Sequence, residues 1–236
     1  MHDWRRIRRV FSGVCLIAGP MLFFASVAMA GPDDTGSELL NYLRYHTANA
    51  VATDLTSIIA VLLLVPAFIG AMHVLRNRAP LLGYVGGGLA LVGFAFLTVL
   101  IAVEAVAIEM AALGTSTRDM ATVLDRSINQ DAVIGVMFAI FVAGHVLGTT
   151  LLGIGLFRAR LVPVWAAAAL TLAGPMHFVA HGIGSRPLDF AAFTLLVAGL
   201  ATLGVRILRM PDDDWDTEPG RMPSTASVSV AHEGAP

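Results

Sequence analysis

The sequence predicts an all-α, polytopic transmembrane bundle of six spans with both termini in the cytoplasm. Three observations predict it. Six apolar runs, roughly 10–30, 50–72, 81–112, 132–157, 161–182 and 188–208, are each about the 20 residues that a helix needs to cross a hydrocarbon core. Hydrophobic residues make up 56% of the 236 and charged residues only 14%, whereas soluble domains carry about 25% charged. The arginines alternate in density from loop to loop, as the positive-inside rule requires.

Arg5, Arg6, Arg8 and Arg9 precede the first run, Arg76 and Arg78 separate the second from the third, Arg158 and Arg160 the fourth from the fifth, and Arg206 and Arg209 close the sixth. Only Arg44, Arg118, Arg126 and Arg186 fall on the other side. Both termini are therefore expected inside, with the loops 31–49, 114–131 and 185–187 outside. The organisation follows: a basic N-terminus (1–9), a membrane domain (10–208) and a tail (209–236) expected to be disordered and cytoplasmic, since it is rich in Asp, Pro, Ser and Gly. The run Asp212-Asp213-Asp214 is placed to fold back on Arg206 and Arg209. The expected location is the plasma membrane, the bacterial inner membrane.

The first run has a competing reading. Residues 1–30 combine a basic start, an apolar core and the small-residue ending Ala28-Met29-Ala30 of a signal-peptidase site, and Arg8-Arg9-Val10-Phe11 resembles a twin-arginine signal. A signal core is about 7–15 residues, however, and this run is about 20. An uncleaved first span is expected; cleavage would leave five spans oriented as before.

The second run contains Pro66, which frees the Leu62 carbonyl and bends the helix. The third opens on Gly83, Gly86, Gly87 and Gly88; Gly83 and Gly87 form a small-xxx-small pair for close helix approach, and Gly144 and Gly148 repeat it in the fourth. In the fifth, Pro163 suits a first helical turn and Trp165 the headgroup level, and Gly174-Pro175 is expected to interrupt the outer half. No segment of these residues remains for a soluble catalytic domain, so any chemistry belongs inside the bundle or at its rims. The single cysteine, Cys15, excludes an intrachain disulfide and a cysteine-ligated zinc or iron–sulfur centre. No P-loop, dinucleotide fingerprint, nucleophile elbow or nucleic-acid-binding face is present.

Ionisable groups at bilayer depth invite a functional explanation. Counted from the inner end of each helix, His145 lies about 18 Å up, His177 about 22 Å, and His181 and Asp54 about 28 Å, with Glu104, Glu109 and His46 further out. All fall in the outer half or beyond. His177 and His181 share one helix face, and HxxxH is a sound two-ligand arm for zinc or another divalent metal. Asp54 matches in depth and His145 lies just below, so the candidate metal set is His145, His177, His181 and Asp54. The other reading of each is bland. The histidines bond across helices as polar glue, Asp54 is an interfacial or helix-terminal carboxylate, Glu104 and Glu109 are solvated beyond the bilayer, His46 is a loop residue, and His73 is interfacial beside Arg76.

Gly144–Trp165 (GHVLGTTLLGIGLFRARLVPVW) and Ala173–Phe190 (AGPMHFVAHGIGSRPLDF), within the six-span layout, resemble an uncharacterised family of bacterial, mainly actinobacterial, integral membrane proteins known only as a domain of unknown function. The resemblance covers roughly 10–208 and implies a fold but no mechanism. A looser similarity is to the alkaline ceramidase and adiponectin-receptor hydrolases, which hold zinc through HxxxH on the last span with a His, an Asp and a Ser from others. Here HxxxH is on the fifth of six spans, a seventh span is lacking and no matching Ser is evident.

Four functional readings stay open. The first is an outward-opening site in which the four residues hold a metal, or relay protons, for a lipid-phase or periplasmic small molecule. The second is a transporter, which needs polar groups continuing inward. The third is a haem protein using His145 with His177 or His181. The fourth is a structural or partner subunit whose histidines serve packing alone.

Overall fold

The structure, a computed structural model, describes residues 2–31, 37–113, 117–129 and 131–215. Among these every regular element is a helix: α1 (His2–Met29), α2 (Ser37–Tyr45), α3 (Thr47–Leu75), α4 (Pro80–Ala112), α5 (Thr117–Asn129), α6 (Ala132–Ala159), α7 (Val164–Gly182), α8 (Arg186–Leu208) and α9 (Asp212–Trp215). Five of them, α1, α3, α4, α6 and α8, are long and apolar enough to cross a membrane. The shortest, α8, has 23 residues, about 35 Å of helix. They carry large apolar side chains on the outside as well as inside; Leu62, Ile69, Leu147 and Phe157 are all exposed. A helix apolar all round needs an apolar surround, and here that is lipid. The chain is thus a multi-span helical membrane protein.

The fifth expected span, α7, is the shortest of the long helices at 19 residues and falls outside that set of five. Two histidines, Gly174 and Pro175 lower its hydropathy. Its place in the fold is nonetheless fixed by its neighbours. The six long helices close a ring in chain order, each packed against the next: α1, α3, α4, α6, α7, α8 and back to α1.

Hydrogen bonds define the two ends of the ring. At the arginine-rich end, Arg9 Nη1 donates to the carbonyls of Ile207 (2.9 Å) and Leu208 (2.8 Å), and Arg78 Nη1 to that of Ala159 (3.2 Å). At the opposite end, Asn49 Nδ2 donates to Met29 O (2.8 Å) and Arg186 Nη2 to Ala30 O (3.1 Å). So α7 starts at the end where α6 finishes and stops at the end where α8 begins.

Glycines set the close approaches. A Cβ on Gly93 would lie 2.6 Å from the Gly144–His145 peptide at His145 N, and one on Gly86 2.8 Å from Leu152 N. Gly86 and Gly93, with Gly144 and Gly148, are therefore the α4–α6 seam. The expected pair Gly83 and Gly87 instead faces Leu75 and Met72 of α3. Pro175 does not interrupt α7, which runs through it unbroken. Its ring removes the donor to the Thr171 carbonyl, four residues back, and Thr150 Oγ1 of α6 donates to that carbonyl instead (3.1 Å).

The outer connections expected as loops hold two helices. In α2, Leu40 and Leu43 join Ala50 of α3, Ala107, Ile108 and Ala111 of α4 and Met120 of α5 in a second apolar cluster at that end. Of the tail, residues 209–215 are described, and Asp212 and Trp215 are docked rather than loose. Asp212 Oδ1 takes a 2.8 Å hydrogen bond from Arg9 Nε, not from Arg206 or Arg209. Trp215 is buried; its ring lies 4.3 Å from that of His73, and its carbonyl accepts from His73 Nε2 and Arg76 Nη2, both at 2.9 Å. The rest of the tail, 216–236, lies outside the described residues.

Arg9 is thus a clamp on the C-terminus of α8 and is itself 8% exposed. Arg9→Ala leaves two terminal carbonyls and Asp212 without their donor and is expected to cost about 3 kcal/mol. Arg9→Lys recovers only part, because a point-like ammonium cannot hold the fork geometry. Thermal unfolding in maltoside detergent checks both; an Arg9→Ala protein as stable as the parent would remove the clamp.

Candidate functional site

The half of the ring toward the arginine-rich end is filled. Leu16, Leu64, Phe68, Leu75, Leu152, Leu156, Leu170 and Leu200 are fully buried there. Above them Phe23, Phe94 and Phe193 form an aromatic floor, with edge-to-face pairs Phe23–Phe94 (5.5 Å) and Phe23–Phe193 (5.2 Å). Such geometry places ring edges on ring faces and fills space without polar partners.

On this floor lies a cavity of about 540 Å³, confined to the half away from the arginine-rich end and reaching the rim at Ala30, Gly182 and Arg186. All six long helices contribute to it. Asp54 comes from α3, Glu104 from α4, His145 from α6, His177 and His181 from α7, and Asp189 from α8. The four expected metal residues therefore all line one cavity, but not as one tight group. The group whose ligand atoms lie within 4.8 Å of one another is His177, His181 and Asp189.

The local sequence explains this. His177 and His181 are one turn apart on the last turns of α7, and their rings touch edge to face at 4.5 Å. Gly184, at φ +64, turns the chain back within three residues. The first turn of α8 then returns level with the last turns of α7, and Asp189 Oδ1 meets His177 Nδ1 at 2.5 Å. With the carboxylate accepting from Nδ1–H, the lone pair of His177 is on Nε2.

His145 is one ring further in. Its centroid is 5.2 Å from that of His177 and 4.9 Å from that of Phe94, edge to face in both. It is 2% exposed, and both ring nitrogens lack a hydrogen-bond partner. The expectation that it serves as interhelical polar glue is therefore not met among the described residues, where no side chain or carbonyl takes up either nitrogen. Direct contact between the rings of His145 and His177 also leaves no gap for a porphyrin between that pair.

Asp54 is 7% exposed and buried in the cavity wall rather than at an interface, with Oδ2 unpartnered. It stands apart from the His177 group, on a helix three places around the ring. Glu104 is half-buried and lines the cavity instead of standing in solvent, whereas Glu109 is exposed. His46 is exposed and stacks on Tyr42 at 4.5 Å.

Asp189 is the candidate site residue that sequence reasoning missed. It reads as the edge of the sixth run, an ordinary first-turn acid of a helix. The available signal was the shortness of the α7–α8 connection, which forces position 189 back against 177. No protein-family model, curated protein or solved structure matches the chain.

Proposed function

We propose that the chain is a six-span protein of the bacterial plasma membrane, with both termini cytoplasmic, that holds a divalent metal ion in an outward-opening cavity. The observation that carries the reading is the convergence of His177, His181 and Asp189, whose ligand atoms lie within 4.8 Å of one another. Two imidazoles and a carboxylate are a zinc-type set, the composition of many catalytic sites that keep a fourth position open. His145 supports it: an imidazole with both nitrogens unpartnered at bilayer depth costs several kcal/mol unless something binds it.

Six crossings are supported by the path of α7, whose 19 residues span about 28 Å, close to the hydrocarbon thickness. The arginine-rich end gives the orientation. The likeness of Gly144–Trp165 and Ala173–Phe190 to the actinobacterial six-span family fits the same layout.

A metal with an open position would supply an acidified bound water. The protein's part is to hold the ion through His177, His181 and Asp189 and to keep bulk water out of the inner half with the phenylalanine floor. The chemistry this suits is hydrolysis of a small molecule entering from the periplasm or the lipid. A transport path is not favoured, since the cavity stops at the floor. The test is element analysis of untagged protein purified in maltoside. About one zinc per chain is expected, falling below a tenth in His181→Ala with the folded protein retained. Metal-free parent protein after zinc addition and desalting would overturn the reading in favour of a structural subunit.

A further inference from the structure

We propose that the α3–α4 side of the cavity binds a lipophilic organic cation, an ammonium group on an apolar body. The closed ring places α3 and α4 across from α7 and α8, so Asp54 and Glu104 face the cavity from the side away from the His177 group. Neither carboxylate is paired with a cation among the described residues. Asp54 is 7% exposed, and its Oδ2 has no partner at all. A buried carboxylate without a partner is strongly disfavoured in an apolar surround; a proton or a cation relieves it, and a bound cation keeps it ionised.

The arginine on the cavity wall is otherwise engaged. Arg186 sits at the rim, donating to Ala30 O at 3.1 Å with its guanidinium 6.0 Å from the Phe190 ring centre. A neutral or anionic occupant would bring neither carboxylate a counter-charge.

The remaining wall says what the cation carries. Six phenylalanines line the cavity, among them Phe138 and Phe141 on α6, the neighbour of α4. Aromatic faces attract an ammonium and bury the apolar body attached to it. The volume of about 540 Å³ falls in the range of small-molecule sites, roughly 300–1,000 Å³. A bare inorganic ion needs neither that volume nor those rings.

The proposal does not use the metal, and the experiment separates the two. Full-length protein in maltoside is titrated calorimetrically with 4-phenylbutyltrimethylammonium, whose charge is permanent, and with the neutral 4-phenylbutanol. Saturable binding of the cation is expected, at least tenfold tighter than the alcohol. Asp54→Asn and Glu104→Gln should each weaken the cation tenfold or more and leave the alcohol unchanged. Saturating zinc should shift the cation affinity by less than twofold. Equal binding of cation and alcohol, no saturable binding, or parent-like affinity in the folded charge variants would overturn the proposal. So would displacement of the cation by zinc, which would assign it to the histidine group. If Asp54→Asn does not fold, Glu104→Gln, on a half-buried residue, carries the test alone.

Discussion

Gly93→Val should prevent the bundle from assembling, while Gly88→Ala, five residues away on the same helix, should leave it intact or slightly more stable. The contrast comes from what each side chain would meet. At Gly93 a Cβ would lie 2.6 Å from His145 N and 2.7 Å from Gly144 C, both main-chain atoms of α6. At Gly144 the reciprocal Cβ would lie 2.6 Å from Leu89 O and 2.7 Å from Gly93 Cα. Main chain cannot swing aside as a side chain can, so the helices must part along the whole seam. Overpacking a core typically costs about 1–3 kcal/mol, and a rigid backbone contact puts Gly93→Val at or above the upper end. At Gly88 nothing lies within 4 Å, and replacing a helical glycine by alanine gains up to about 1 kcal/mol. Monodisperse yield and thermal unfolding in maltoside read both. A Gly93→Val protein as stable as the parent would mean that α4 and α6 do not touch there. Because His145 is the residue after Gly144, the same substitution should also loosen the cavity wall.

That seam shows which part of the fold is legible in sequence. Apolar length and arginine alternation reveal spans because the bilayer imposes one length and one charge asymmetry on every chain. They do not reveal which face of a span meets which neighbour. Four glycines at 83, 86, 87 and 88 sit within two turns, and small-xxx-small spacing fits Gly83 with Gly87 on its own terms. Yet that pair faces α3, and the α4–α6 seam runs through Gly86 and Gly93. In lipid there is little hydrophobic contrast to orient a helix, so the faces are set by shape across the interface, and shape is not local. The helix α2 was hidden for the opposite reason. It has nine residues, too few to cross a membrane, and only the spacing of Leu40 and Leu43 marks its buried side.

The site was half legible. Depth counting brings Asp54, His145, His177 and His181 to the outer half, and all four line the same cavity. Depth alone cannot say which carboxylate is beside which histidine, since Asp54 and His181 are nearly level while standing on helices across the ring. Ring order decides, and ring order follows from packing. The tail illustrates the same limit. Composition reads Pro211 onward as solvated, but Trp215 finds the groove beside His73, and Asp212 finds Arg9 rather than the nearer arginines in sequence.

Asp189→Asn should lower zinc affinity about 10–100-fold, and His177→Ala should lower it more. The carboxylate is placed for either of two tasks, and it cannot serve both toward one ion, because Nε2 leaves the ring on the side away from Nδ1. Its Oδ1 fixes the His177 ring through Nδ1 at 2.5 Å, the arrangement that aims the other nitrogen of a metal-binding histidine and raises its basicity. In the other task it binds the ion itself, as a member of the group whose ligand atoms lie within 4.8 Å of one another. Asparagine separates the tasks. Its amide oxygen can still accept from Nδ1–H and hold the ring, but it brings no negative charge to the metal. A drop near tenfold therefore marks Asp189 as the residue that orients His177, and a drop near a hundredfold marks it as a ligand. His177→Ala removes the imidazole in either case, so its loss should exceed both. Competition with a zinc chelator of known affinity reads all three proteins on one scale. Unchanged affinity in both variants would sink the metal site, because no other pair of groups in the cavity brings a histidine and a carboxylate into hydrogen-bond contact among the described residues.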